Sequence, residues 1–149
     1  MTTLNNSSIQ QERVALGRLW WVTLLTIVAA SVANLVVYLL AIALFEGPRR
    51  FALLTPILIV VSTAVGVGAA AIVYALIGRF SKRPISVFRI VAVVALVLSF
   101  ASPISAAYAF PPSDAPDVIT VVFLLAMHVV AAIITIGLFT TMARATGDE

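Results

Sequence analysis

Cysteine is absent from this chain, histidine occurs once, and the four longest apolar runs contain no Asp, Glu, Lys or Arg. The lack of cysteine removes disulfides, thiolate-held metals, iron–sulfur clusters and dithiol redox chemistry. One histidine with no cysteine and no carboxylate inside the apolar runs gives zinc or non-haem iron too few ligands within one chain, so no metal site is expected. The uncharged runs also argue against proton-coupled transporters and pumps, which usually place a carboxylate at membrane depth. Charge is scarce overall. Charged residues make up 10% of the chain and hydrophobic residues 62%, whereas a soluble domain is about a quarter charged and about half apolar. The few charges lie at the ends of the apolar runs. The 149 residues suit one domain by length, but a chain of this composition has no polar surface to turn to water. The lipid bilayer is its expected surroundings. The net charge of +3 is then a topology signal and an attraction to anionic headgroups, with no nucleic-acid partner implied.

The apolar runs read as four helices. Residues 1–12 are polar and small and read as a disordered tail. Trp20 and Trp21 mark the headgroup level at the start of the first span, about 19–45. At 1.5 Å per residue that span reaches roughly 40 Å, enough to cross with tilt. Gly47 and Pro48 are expected to end it, the glycine as a left-handed cap. The apolar segment 51–54 is expected to lie along the interface. Thr55 then reads as an N-cap before Pro56 at the first helical position. The second span runs about 56–78, and the alternative is one longer helix kinked at Pro56. Pro84 marks the start of the third, about 85–107, with Pro103 either kinking or closing it. Asp114 is expected to cap the fourth span, about 116–143, with Asp117 as the acid of a capping box. Arg144 and Gly147 close it. The transmembrane domain is therefore residues 13–145, followed by a short tail at 146–149.

Between the second and third spans lies a basic hinge, residues 78–89, with Arg79, Lys82, Arg83 and Arg89. These are four of the nine basic residues. With four spans, the tail, hinge and C-terminal end share one side. They carry Arg13, Arg18, the hinge cations and Arg144, against only Arg49 and Arg50 opposite. The positive-inside rule then places both termini and the hinge in the cytoplasm of a cell membrane. Phe80 and Phe88 are expected to anchor the hinge in the headgroup layer. The fold class expected is all-α: an integral membrane four-helix bundle, up-down-up-down, with cytoplasmic termini.

Polar residues inside the runs are the candidate site. His128 lies about ten residues into the fourth span, near mid-membrane. Thr120, Leu124, His128, Ala131, Ala132 and Thr135 share its helical face. Two readings stand. One is a functional imidazole: an axial ligand, a donor to a quinone carbonyl, or a proton relay. The other is polar glue bonded to a neighbouring helix, worth about 0.6–2 kcal/mol. Asn34 and Tyr38, one turn apart on the first span, either bond each other or reach across to His128. An amide in lipid must face protein. On the second span, Ala64/Gly68 and Gly66/Ala70 are small-xxx-small pairs. Such pairs suit close helix packing inside the bundle or a homo-oligomer contact. No paired acid–base set is present, so an enzyme is disfavoured, and no cofactor motif is present.

Several of these segments, in order and spacing, resemble a family. The segments are 33–40 around Asn34 and Tyr38, 78–84 with Phe88, Ser99 with Pro103, and 127–132 around His128. They are similar to an uncharacterised family of small bacterial four-helix membrane proteins, DUF6069. The resemblance covers the span region and implies the four-helix architecture and added weight on Asn34, the hinge and His128. It implies no activity. The functional expectation from sequence is a non-enzymatic accessory or assembly protein that packs against a membrane-protein partner. The alternative is a bundle that binds or transports an apolar small molecule (quinone, lipid or haem) at Asn34, Tyr38, His128 and Thr135.

Overall fold

The computed structural model describes residues 15–143. The expected N-terminal tail, Arg13, Arg144 and Gly147 lie outside the described residues. Six helices fill this range: α1 (Leu16–Leu44), α2 (Glu46–Arg50), α3 (Pro56–Phe80), α4 (Pro84–Ser99), α5 (Ala101–Ala109) and α6 (Val118–Met142). No strand occurs among the described residues. With α4 and α5 joined as one span, four spans are long and apolar enough to cross a membrane. The protein is an all-helical up-down-up-down bundle. The Ala15 N–H donates to the Ala143 carbonyl at 2.9 Å, which brings the start of the first span and the end of the fourth to one end of the bundle.

The helix ends follow from local chemistry, with three departures from the sequence reading. Thr55 does cap α3: its hydroxyl accepts the Leu58 N–H at 3.4 Å, and Pro56 opens the helix. Gly47 is not a left-handed cap, since no described glycine has positive φ. The first span ends because Phe45 is extended (φ −137°, ψ 143°), and Gly47 and Pro48 then sit inside α2. Glycine is needed at 47 for space. The Asp117 carboxylate occupies the volume a Cβ there would fill. Asp117 itself caps α6, accepting the Thr120 N–H at 2.8 Å. Asp114, expected to do this, instead closes a turn on the Pro111 carbonyl. Asp117 wins because it directly precedes the first helical residue, where a carboxylate reaches the free N–H groups. Finally, only half of segment 51–54 faces outward: Ala52 and Leu53 are exposed, but Phe51 and Leu54 are not. They turn inward at 8% and 5% exposure and pack with Ile59 and Met127.

Pro103 kinks the third span and does not close it. It has no N–H to give to the carbonyl four residues back, that of Ser99. The helix breaks at that point, at Phe100, and resumes as α5. This break shapes the interior. Around the bundle the order is α1, α3, α4, α6: α1 packs chiefly on α6 and α3, α4 packs on both α6 and α3, and α1 does not touch α4. Beyond the break, α5 stays on α6 but loses α3.

At the hinge end the core is aromatic. Tyr74, Phe88 and Phe139 are at most 1% exposed, with ring centroids 4.7 Å (Tyr74–Phe88), 5.6 Å (Tyr74–Phe139) and 5.9 Å (Phe88–Phe139) apart. Phe88 is thus a core ring and not an interfacial anchor, while Phe80 is exposed. Lipid offers no hydrophobic drive for helix association, so contact dispersion and ring geometry hold this end, at about 0.5–1.5 kcal/mol per aromatic pair. Three buried hydroxyls are satisfied within their own helices. Thr26, Thr135 and Thr140 each donate to the carbonyl four residues back at 2.7 Å, which lets a polar side chain stay at membrane depth.

Candidate functional site

Where α5 parts from α3, the interior opens into a cavity of about 670 Å³. It runs along the inner face of the third span from Phe88 to Ala106, a helical rise of about 27 Å. Phe88 bounds it toward the hinge, and Phe51 and Leu54 bound it toward the other end. Small residues make its walls: Gly66 and Ala70 on α3, Ala92 and Ala95 on α4, Ala131 and Ala132 on α6. A methyl built on Gly66 would meet nothing within 4 Å, and the same holds for Gly68. Gly66 and Gly68 are therefore not points of close helix approach inside the bundle. Gly66 and Ala70 give the cavity its width, and Ala64 and Gly68 stand outside its lining.

Three polar side chains distinguish this cavity from a packing fault. The first is His128, on the α6 wall. Its Nδ1 lies 2.8 Å from the Leu124 carbonyl oxygen. A carbonyl can only accept, so the ring proton is assigned to Nδ1 and Nε2 carries the lone pair. Nε2 makes no hydrogen bond among the described residues. The second is Asn34, 4% exposed and the sole α1 residue of the lining. Its Nδ2 donates to Thr63 Oγ1 across to α3 at 3.1 Å, and its Oδ1 has no partner among the described residues. Thr63 is the third, 7% exposed and holding Asn34 in place.

The sequence-predicted set is thus divided. Asn34, His128 and Thr135 share the cavity. The Thr135 hydroxyl, however, is committed to the Ala131 carbonyl. Tyr38 is not part of the lining and packs instead beside Phe51, Leu54, Ile59 and Met127. Thr120 is buried below the surface of α6 and also stays out of the lining. Thr63 was not singled out from sequence. Its signal was the row Ile59, Thr63 and Val67, one turn apart and all buried, with a hydroxyl at the centre of an apolar stripe.

The chemistry available is limited and definite. No Asp, Glu, Lys or Arg lines the cavity, and no three His, Cys, Asp or Glu side chains cluster among the described residues. A haem would find one axial nitrogen but no cation for its propionates. What remains is an apolar chamber with a few polar groups, His128 Nε2 and the Asn34–Thr63 pair. At the hinge, Arg79, Lys82, Arg83 and Arg89 are all exposed, and none of them lines this chamber.

A bundle of four apolar spans around an internal chamber defines the protein as a multi-pass membrane protein. More particularly, residues 14–145 match a family described as a family of unknown function, DUF6069, and the chain belongs to that family. No curated protein and no solved structure matches it.

Proposed function

We propose that this protein binds an apolar small molecule inside the bundle, in the chamber lined by Asn34, Thr63 and His128. The observation that carries the reading is the conjunction of an elongated cavity of about 670 Å³ with an orphaned Asn34 oxygen, buried at 4% exposure. An unsatisfied amide oxygen at membrane depth costs several kcal/mol in lipid, and a bound ligand removes that cost. Ligand chambers are typically about 300–1,000 Å³, mostly apolar, with a few polar groups. The accessory or assembly role came first on sequence grounds, with the small-residue face of α3 as a contact to test. That face opens on the chamber at Gly66 and Ala70, which supports a wall before a docking seam.

The setting we propose is a cell membrane with both termini and the hinge cytoplasmic, supported by the excess of basic residues at that end. Exposed Arg79, Lys82, Arg83 and Arg89 support contact with anionic lipid headgroups there. The test of ligand binding is native mass spectrometry and solvent extraction of protein purified in mild detergent. A stoichiometric apolar adduct is expected, and its amount should fall in His128→Ala. Ligand-free mass in every gentle preparation, with His128→Ala altering only thermal stability, would refute the reading and return the accessory role to first place.

A further inference from the structure

We infer that the ligand is an uncharged, chain-bearing lipid taken sideways from the bilayer, with its small neutral head against Asn34, Thr63 and His128 and its chain along the chamber. This rests on the ligand-binding reading above and names the class of ligand.

The source of the ligand follows from where the chamber is closed. Toward the hinge, Phe88 lies against Tyr74 and Phe139 in the buried ring cluster. At the other end Phe51 and Leu54 are buried, and the Phe51 ring meets that of Phe110 edge-on at 6.1 Å. The exposed lining residues all lie on one flank, with Leu58, Val61 and Gly66 on the α3 side and Ala95 and Ser102 on the third span. No lining residue of α1 or α6 is exposed. The flank opens because α5 touches α6 but not α3. In a bilayer it faces acyl chains, so what enters comes from the membrane.

The neutral head follows from depth and charge. Thr63, His128 and Asn34 lie about 10–15 Å of helical rise from the ends of α3, α6 and α1 that face away from the hinge, within a hydrocarbon layer about 30 Å thick. A charge at that depth is costly unless paired, and no Asp, Glu, Lys or Arg lines the chamber. An uncharged head finds partners of both kinds. His128 Nε2 and Asn34 Oδ1 accept. The second Nδ2 proton of Asn34 and the hydroxyl proton of Thr63 meet no acceptor among the described residues and can donate. An alcohol, ester or amide fits this set, and a sulfate, phosphate or quaternary ammonium does not. The chain has room beside it. The lining runs from Leu58 to Ala70 on α3 and from Leu124 to Ile136 on α6, a rise of about 18 Å on each.

The test uses hexadecanol, hexadecane and hexadecyl sulfate, which share a chain and carry a neutral head, no head and a permanent charge. Each is added at equal mole fraction to the full-length protein in nanodiscs, and binding is followed by thermal shift and native mass spectrometry. Hexadecanol should bind about threefold to tenfold tighter than hexadecane and at least about tenfold tighter than the sulfate. Asn34→Leu should erase the advantage over hexadecane while hexadecane still binds. Gly66→Phe, which sets a ring on the open flank, should abolish loading of hexadecanol and hexadecane; Ser102→Phe on the opposite edge serves if that variant does not fold. Sulfate binding equal to hexadecanol overturns the selection against charge, and hexadecane binding equal to hexadecanol overturns the docked head; both leave the chamber as a ligand site. Unchanged loading in the flank variants overturns sideways entry. Binding of none of the three overturns this inference and the ligand-binding reading together.

Discussion

The two ends of the bundle use the same helices differently. At the hinge end, Tyr74, Phe88 and Phe139 close the interior with rings 4.7–5.9 Å apart. Toward the other end, Gly66, Ala70, Ala92 and Ala131 leave the interior open around Asn34 and His128. Large residues at the bundle axis make a packed end, and small residues at equivalent depth make a chamber. The Pro103 kink, which carries α5 away from α3, widens the second region and leaves the first untouched. One end therefore supplies stability and the other supplies space, and mutations should divide along that line.

The largest effect should come from Phe139→Ala. The ring is fully buried and meets two others, so its loss should cost about 3 kcal/mol in thermal or denaturant unfolding in detergent. A cost as small as that at the chamber end would erase the division. Next, Gly47→Ala drives a methyl into the Asp117 carboxylate that caps α6. It should cost about 1–2 kcal/mol, and Gly47→Ala combined with Asp117→Ala should cost less than the sum of the two. Additive costs would mean that the contact between α2 and the α6 cap is not coupled.

Changes at the chamber should be milder. Pro103→Ala restores a donor to the Ser99 carbonyl. It should raise stability by about 1 kcal/mol while weakening ligand retention, as α5 straightens toward α3. Loss of stability with unchanged retention would show that the kink does not shape the chamber. Smallest of all, Gly66→Ala meets nothing within 4 Å and should stabilise α3 by up to about 1 kcal/mol through helix propensity. If it destabilised by more than about 1 kcal/mol, the open wall at Gly66 would be wrong.

Much of the fold was legible in the chain. Four uncharged runs of spanning length can be nothing but helices at membrane depth, because backbone groups there must bond within the segment. The Thr55–Pro56 start and the Pro84 start were readable because capping is a local matter of a hydroxyl and a fixed φ. Caps failed where a choice lay between two carboxylates three residues apart, and Asp117 took the role expected of Asp114. Gly47 was misread because its reason is a neighbour 70 positions away in the chain, Asp117, and not its own φ. Phe88 was placed at the interface for its company of basic residues, yet one helical turn is enough to rotate a ring from headgroup to core. Within the candidate site, Asn34 and His128 stood out as polar residues in apolar runs. Tyr38 shared a stripe with Asn34 but faces a different cluster, since one turn along a tilted helix changes the neighbour it meets.

By itself the sequence determined the bilayer, the four spans, the absence of charge inside them and the two polar outliers worth attention. Composition and run length settle those, because they depend on the solvent and on local hydrogen bonding. Only the tertiary structure decided which polar atoms are spent and which are free. The Leu124 carbonyl takes the His128 proton and Thr63 takes one of the two amide protons of Asn34. The same structure turned Gly66 and Ala70 from a packing stripe into a wall. Whether a small residue marks contact or space depends on what the facing helix brings, and Pro103 took that helix away.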